Sequence, residues 1–149
     1  MLSANVQALF DVMTELWNTG NPALLSQVYS EDAVRVDPLN AEPAHGIQQI
    51  TASLAAIRAG FPDFKLHIKQ RMGDDEWVVT EWSATGTQTG AFLGVPPTGK
   101  AATVHGVSLT RLDGLKIIEE RAYFDRLALL QQLGVAPGAS QSAAAAGRP

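Results

Sequence analysis

Apolar positions recur every three or four residues in the first part of the chain and alternate with polar ones from Lys65 onward. Val6, Leu9, Phe10, Met13, Leu16 and Trp17 follow the helical period, with Ser3 placed to cap the start and Thr19-Gly20 to stop the end. Asn21-Pro22 offers an N-cap followed by proline at the first helical position. Leu24, Leu25, Val28 and Tyr29 would then form the stripe of a second, shorter helix. Ala33 to Asp37 alternates as a strand until Pro38 breaks it, and Ile47, Ile50, Leu54 and Ile57 mark a third helix closed by Gly60.

In the second half, Leu66, Ile68, Gln70 and Met72 are expected on one face of a strand and Lys65, His67, Lys69 and Arg71 on the other. Gly73-Asp74-Asp75 turns the chain. Glu76 to Gln88 and Lys100 to Leu112 read as two long strands around a Gly- and Pro-rich loop, and Asp113-Gly114 is a hairpin signal into a last strand. That loop lacks the Lys-Ser/Thr ending of a phosphate-binding loop, so it is read as a turn or lid. Residues 135–149 carry no apolar period and are expected to be a disordered tail after a single domain spanning 1–134. Helices followed by an antiparallel meander define an α+β fold, and a strongly curved sheet closed by three N-terminal helices would be a cone with an apolar interior.

Composition narrows the chemistry. At 149 residues the chain can bury a core without disulfides or structural metals, and with no cysteine it has no thiol or Cys-zinc chemistry. No apolar run approaches the ~20 residues of a membrane span, and no signal peptide is evident, so a soluble, cytoplasmic protein is expected. A net charge of −4 without a Lys/Arg cluster gives no footprint for nucleic acid or an anionic membrane. The three histidines have no ligand spacing, so no metal site is expected.

The last strand carries the most suggestive chemistry. Glu119, Arg121, Tyr123 and Asp125 share one face of Glu119–Phe124 and its extension, directly before an apolar helix. A carboxylate at the inner end of such a strand would be desolvated and useful for moving protons. Two roles suit Asp125: that acid/base, or the N-cap of the helix that follows. His105 shares its face with Thr103, Val107 and Leu109, where an imidazole either orients a substrate carbonyl or is held structurally. Trp17, Trp82 and Tyr123 are candidate pocket aromatics, and Arg35 shares a strand face with Asp37, paired inside the cone or exposed at an edge.

His45-Gly46, Phe61-Pro62-Asp63, Gly86-Thr-Gln-Thr-Gly90, Pro97-Thr-Gly-Lys100, Arg111 and Asp125 with Gln132-Leu-Gly134 together resemble the SnoaL-like polyketide cyclases of the nuclear transport factor 2-like superfamily. The resemblance spans about Asn5 to Gly134. It implies a metal-free, cofactor-independent acid/base reaction, an intramolecular aldol-type closure, on a hydrophobic small molecule, with Asp125 at the family's catalytic aspartate position. It also implies a homodimer formed through the sheet. Gln88, where histidine is frequent, and Glu81, where arginine is frequent, depart from the family pattern.

A second, shorter resemblance links Asp32–Gly46 to the loop of bacterial ketosteroid isomerases, which makes Asp37 the matching proton-shuttling base. The two oxyanion donors of those enzymes align with Met13 and Val107, which cannot donate. Steroid isomerisation is therefore not implied. The expectation is a cyclase or isomerase in which Asp125 acts with Asp37 and His105. A carrier using the same cone without chemistry, or an epoxide hydrolase with an Asp-Arg-Asp network, are the alternatives.

Overall fold

The structure, a computed structural model, describes residues 1–136. Helix α1 (Ala4–Thr19) starts where Ser3 Oγ accepts from Val6 N at 3.3 Å and ends where Gly20, in the left-handed region, donates to Leu16 O at 2.8 Å. Asn21 caps a single 3-10 turn (Pro22–Leu24), which runs into a four-residue α2 (Leu25–Val28). Tyr29 therefore opens a strand rather than closing the helix. Helix α3 (Gly46–Gly60) follows a two-residue strand, Ala44–His45, in the segment between Pro38 and the helix. The last helix, α4 (Arg126–Gln132), is capped by Asp125.

Strands β1 (Tyr29–Val36), β2 (Ala44–His45), β3 (Lys65–Gly73), β4 (Trp77–Thr87), β5 (Ala101–Asp113) and β6 (Lys116–Phe124) form one sheet in the order β2-β1-β6-β5-β4-β3. The expected antiparallel meander holds from β3 to β6, but β1 runs parallel to β6, so the sheet is mixed. The long excursion through β2, α3, β3, β4 and β5 makes that parallel pairing possible. The expected tail, 135–149, lies outside the described residues beyond position 136.

The sheet wraps its inner face against α1 and α3. Val6, Leu9, Phe10, Leu16 and Trp17 of α1 meet Ile50 and Leu54 of α3 and Leu25, Val28 and Ile117 in one buried cluster. Burying a side chain of this size contributes about 1.5–3 kcal/mol, which is ample to hold short helices that would be marginal alone. A second cluster, Phe61, Phe92, Ala102, Leu129 and Leu133, lies where α4 and the β4–β5 loop approach the other end of the cone.

Which side of each strand faces inward decides the site, and two bulges set it. Along β3 the pairing steps from Ile68↔Trp82 to Gln70↔Glu81, so Lys69 is an extra residue. Leu66 and Ile68 face the cavity as expected, but beyond the bulge Arg71 replaces Gln70 and Met72 on that face. In β6 a similar shift between Leu112↔Ile117 and Arg111↔Glu119 leaves Ile118 extra and turns both Ile117 and Glu120 inward.

Candidate functional site

Between the inner sheet face and the two long helices lies a cavity of about 110 Å³. Its wall is largely hydrophobic, with Phe10, Met13, Trp17, Phe61, Phe64 and Trp82 among its lining residues. Trp82 lies over Gly106, where a Cβ would fall 2.4 Å from the indole, and its Nε1 donates to Ser108 Oγ at 2.9 Å. Glycine at that point of β5 is what lets the ring lie on the sheet. Phe124 meets the indole edge-on with centroids 5.9 Å apart.

Both carboxylates of this wall pair with one buried arginine. Arg35 and Glu120 are register partners across the parallel pair β1/β6, and Arg35 Nε donates to Glu120 Oε1 at 2.7 Å. The Nη1 of the same guanidinium pairs with Asp37 Oδ2, two residues along and on the same strand face. Trp17 stacks beneath the cation, 4.7 Å from Cζ to ring centroid. Tyr29 Oη donates to Glu120 Oε1 at 2.8 Å, and Asp37 Oδ1 accepts from Leu39 N at 2.7 Å and Asn40 Nδ2 at 3.2 Å. Glu120 Oε2 is buried without a partner.

Burial pulls the Arg35 pKa down, but the charges of Glu120 and Asp37 more than offset it and hold it above its ordinary value. Burial, reinforced by the negative charge of Glu120, pushes the Tyr29 hydroxyl well above its ordinary pKa. Arg35 therefore stays a cation and Tyr29 a neutral donor across the physiological range. One carboxylate oxygen of Glu120 is clamped by two donors while the other is left free inside an apolar enclosure, an arrangement suited to accepting and returning a proton.

The structure brings together some of the expected site residues and separates others. Asp37, Arg35, Trp17 and Trp82 line the cavity. Asp125 does not. It is exposed, and its Oδ1 accepts from Ala128 N at 3.0 Å, so it occupies the N-cap position of α4. His105 and Tyr123 are likewise exposed on the outer sheet face, with Thr103, Val107 and Leu109. Glu119, Arg121, Tyr123 and Asp125 do share a face, but it is the outer one. Their intervening neighbours Glu120, Ala122 and Phe124 face inward.

Glu120, Tyr29, Thr80 and Arg71 were not singled out from sequence. A signal existed for Glu120, a carboxylate in phase with apolar Ala122 and Phe124, but the bulge at Ile118 hid it. At the other end of the cavity, Gln88 is fully buried and ties down the β4–β5 loop. Its Nε2 donates to Val95 O at 3.1 Å, and its Oε1 accepts from Thr98 Oγ1 at 2.7 Å. The loop brings Phe92 edge-on to Phe61 in the cavity wall, with centroids 5.1 Å apart. Among the described residues no group of three or more His, Asp or Glu side chains is placed to hold a metal, and no helix is long and apolar enough to cross a membrane.

A mixed sheet curves around an apolar cavity with buried carboxylates in its wall, an α+β cone. The family model for SnoaL-like polyketide cyclases matches residues 7–133, and the chain belongs to that family. Among solved structures it is similar to a SnoaL-like polyketide cyclase candidate from Jannaschia sp. CCS1, with 27% identity, 91% of this chain and 97% of that chain covered, and a TM-score of 0.77. It is similar to AclR, a candidate hydroxylase from Streptomyces galilaeus, at 26% identity, covering 97% and 94% of the two chains with a TM-score of 0.78. A protein of ketosteroid isomerase-like fold from Catenulispora acidiphila, at 22% identity, 87% and 93% coverage and a TM-score of 0.73, shares the fold. No curated protein matches at a significant level.

Proposed function

We propose that this protein is a cofactor-independent acid/base enzyme acting on a hydrophobic, polyketide-type small molecule held in the cone, with Glu120 moving the proton. The observation that carries the reading is the free Oε2 of Glu120, buried in the wall of an apolar cavity while Oε1 is fixed by Arg35 and Tyr29. In an aldol-type closure Glu120 removes a proton from a carbon beside a carbonyl. The resulting enolate attacks a second carbonyl of the same molecule, and the proton returns to the new alkoxide oxygen. Atoms balance without metal, Schiff base or oxidant. Asp37 holds the far side of Arg35 and so positions Glu120. Asp125, a helix cap, takes no part in the transfer.

A second reading is favoured by one feature, two carboxylates held on a single buried arginine. In epoxide hydrolysis one carboxylate would activate a water while the other protonates the epoxide oxygen. Native mass spectrometry and chromatography of ligands recovered from wild type and Glu120→Gln, each incubated with extract of the source cells, separates the possibilities. A compound that accumulates on Glu120→Gln and appears on wild type as an isomer of equal mass supports ring closure or isomerisation, whereas a gain of one water supports hydrolysis. The same unchanged molecule on both proteins means a carrier. Asp125→Asn, which keeps the cap, serves as the control and should turn over as wild type does.

A further inference from the structure

Two further polar groups in the cavity wall have no partner, and they are neighbours. Arg71 and Thr80 are register partners across β3/β4, and both line the cavity. Arg71 Nε and Thr80 Oγ1 are each buried without a hydrogen bond, and Thr80 as a residue is only 4% exposed. Leaving such groups unmatched in a dry interior is unfavourable, so a fold that keeps two of them side by side in a cavity has a use for them.

The rest of the Arg71 guanidinium is held in place. Nη2 donates to Thr14 Oγ1 at 2.7 Å and to Phe10 O at 3.2 Å, and the cation lies over the Phe10 ring at 5.3 Å. The nearest acidic group, Asp11, is 3.8 Å from Nη1 and largely exposed, so it offsets the charge only weakly. Burial accordingly pulls the Arg71 pKa below its ordinary value against the opposing effect of Asp11. The Arg35 cluster is the opposite case, with two carboxylates on one cation. The cavity thus has a positively biased end at Arg71 and a negatively biased end at Glu120.

Sheet register relates the two ends. Arg71, Thr80, Ser108 and Ala122 form one row of cross-strand partners, and Val78, Thr110, Glu120 and Arg35 form another that lies two residues away along β4. We infer that Arg71 and Thr80 form an acceptor-oxygen subsite, which takes a carbonyl or carboxylate oxygen of the ligand through Arg71 Nε–H and Thr80 Oγ–H. Resting on the acid/base reading above, the substrate class is then an apolar molecule with an enolisable carbonyl. Its oxygen lies at Arg71 and Thr80 and its acidic C–H lies toward Glu120, so the charge that develops on oxygen as the proton leaves meets donors already in place.

Benzoate and toluene are suitable probes, since they share a ring and differ in the acceptor group. Binding to the full chain would be followed by titration calorimetry for wild type, Thr80→Val, Arg71→Met and Glu120→Gln. The expected result is that Thr80→Val and Arg71→Met each weaken benzoate at least fivefold while toluene binds within twofold of wild type. Thr80→Val leaves every other contact of Arg71 intact, so it reports on the subsite even if Arg71→Met loosens the α1–β3 contact. Benzoate affinity unchanged in Thr80→Val, or toluene weakened as much as benzoate, would overturn the subsite. Glu120→Gln is expected to bind benzoate as well as wild type or better. The binding result thus stands apart from the acid/base reading, which fails separately if Glu120→Gln leaves turnover intact.

Discussion

Arg35 and Glu120 face each other across the parallel junction of β1 and β6, both buried, with Nε and Oε1 2.7 Å apart. The junction is where the N-terminal and C-terminal segments of the sheet meet, so the buried ion pair and the topological junction coincide. Removing a buried cation from between two carboxylates is expected to cost about 3–5 kcal/mol, because the anions are left uncompensated in a dry interior. Arg35→Met should show that loss in urea unfolding. Arg35→Met/Glu120→Met should recover most of it, since the double variant buries one unpaired carboxylate fewer. Additive losses in the two single variants and the double would mean that the pair is not coupled.

Tyr29 gives the cluster a pH signature at the alkaline end. Its hydroxyl is held well above the ordinary value near 10, chiefly by burial and then by the charge of Glu120. With the folded value above the unfolded one, the native state keeps the proton longer. This contribution to stability is fully present below about pH 10 and is lost as pH rises further. Tyrosinate absorbance for wild type minus Tyr29→Phe should therefore appear only together with the loss of far-ultraviolet ellipticity. Ionisation of Tyr29 at lower pH, in a chain that is still folded, would contradict the geometry of the cluster.

The boundaries of this fold are legible where a local rule acts alone. Ser3 and Gly20 bound α1, Asn21-Pro22 starts the 3-10 turn, and Asp113-Gly114 turns β5 into β6, each by its own backbone chemistry. The family resemblance also holds. Strand alternation correctly grouped Glu119, Arg121 and Tyr123, but alternation names two faces without saying which is inside. The aromatic ring of Tyr123 suggested an inner face, whereas Ala122 and Phe124 occupy it.

The same ambiguity misplaced His105, because β5 buries the small residues Ala102, Gly106 and Ser108 and exposes Val107 and Leu109. Bulges at Lys69 and Ile118 are a different obstacle: the extra residue is visible only once the partner strand is known, and each bulge delivers one charged side chain, Arg71 or Glu120, to the cavity. Asp37 was singled out by the ketosteroid isomerase resemblance and Arg35 by sharing its strand phase, and both line the cavity because β1 keeps that phase up to Pro38.

The outer face left by this phase choice carries exposed apolar side chains beside the Glu119–Arg121 ion pair. Val107 and Tyr123 are cross-strand partners, 39% and 54% exposed, and Leu109 beside them is 36% exposed. Burying such a patch against a second copy of the chain removes apolar area from water on both sides at once, and dimerisation through the sheet is the expected outcome. Light scattering at micromolar concentration should give twice the 15.9 kDa of one chain, and Val107→Glu should return it to one. A wild-type monomer under those conditions would refute the assembly. Because Val107, Leu109 and Tyr123 lie outside the cavity lining, the charge-bearing variant should still bind ligand, so a joint loss of assembly and binding would indicate that the cone depends on its partner for its shape.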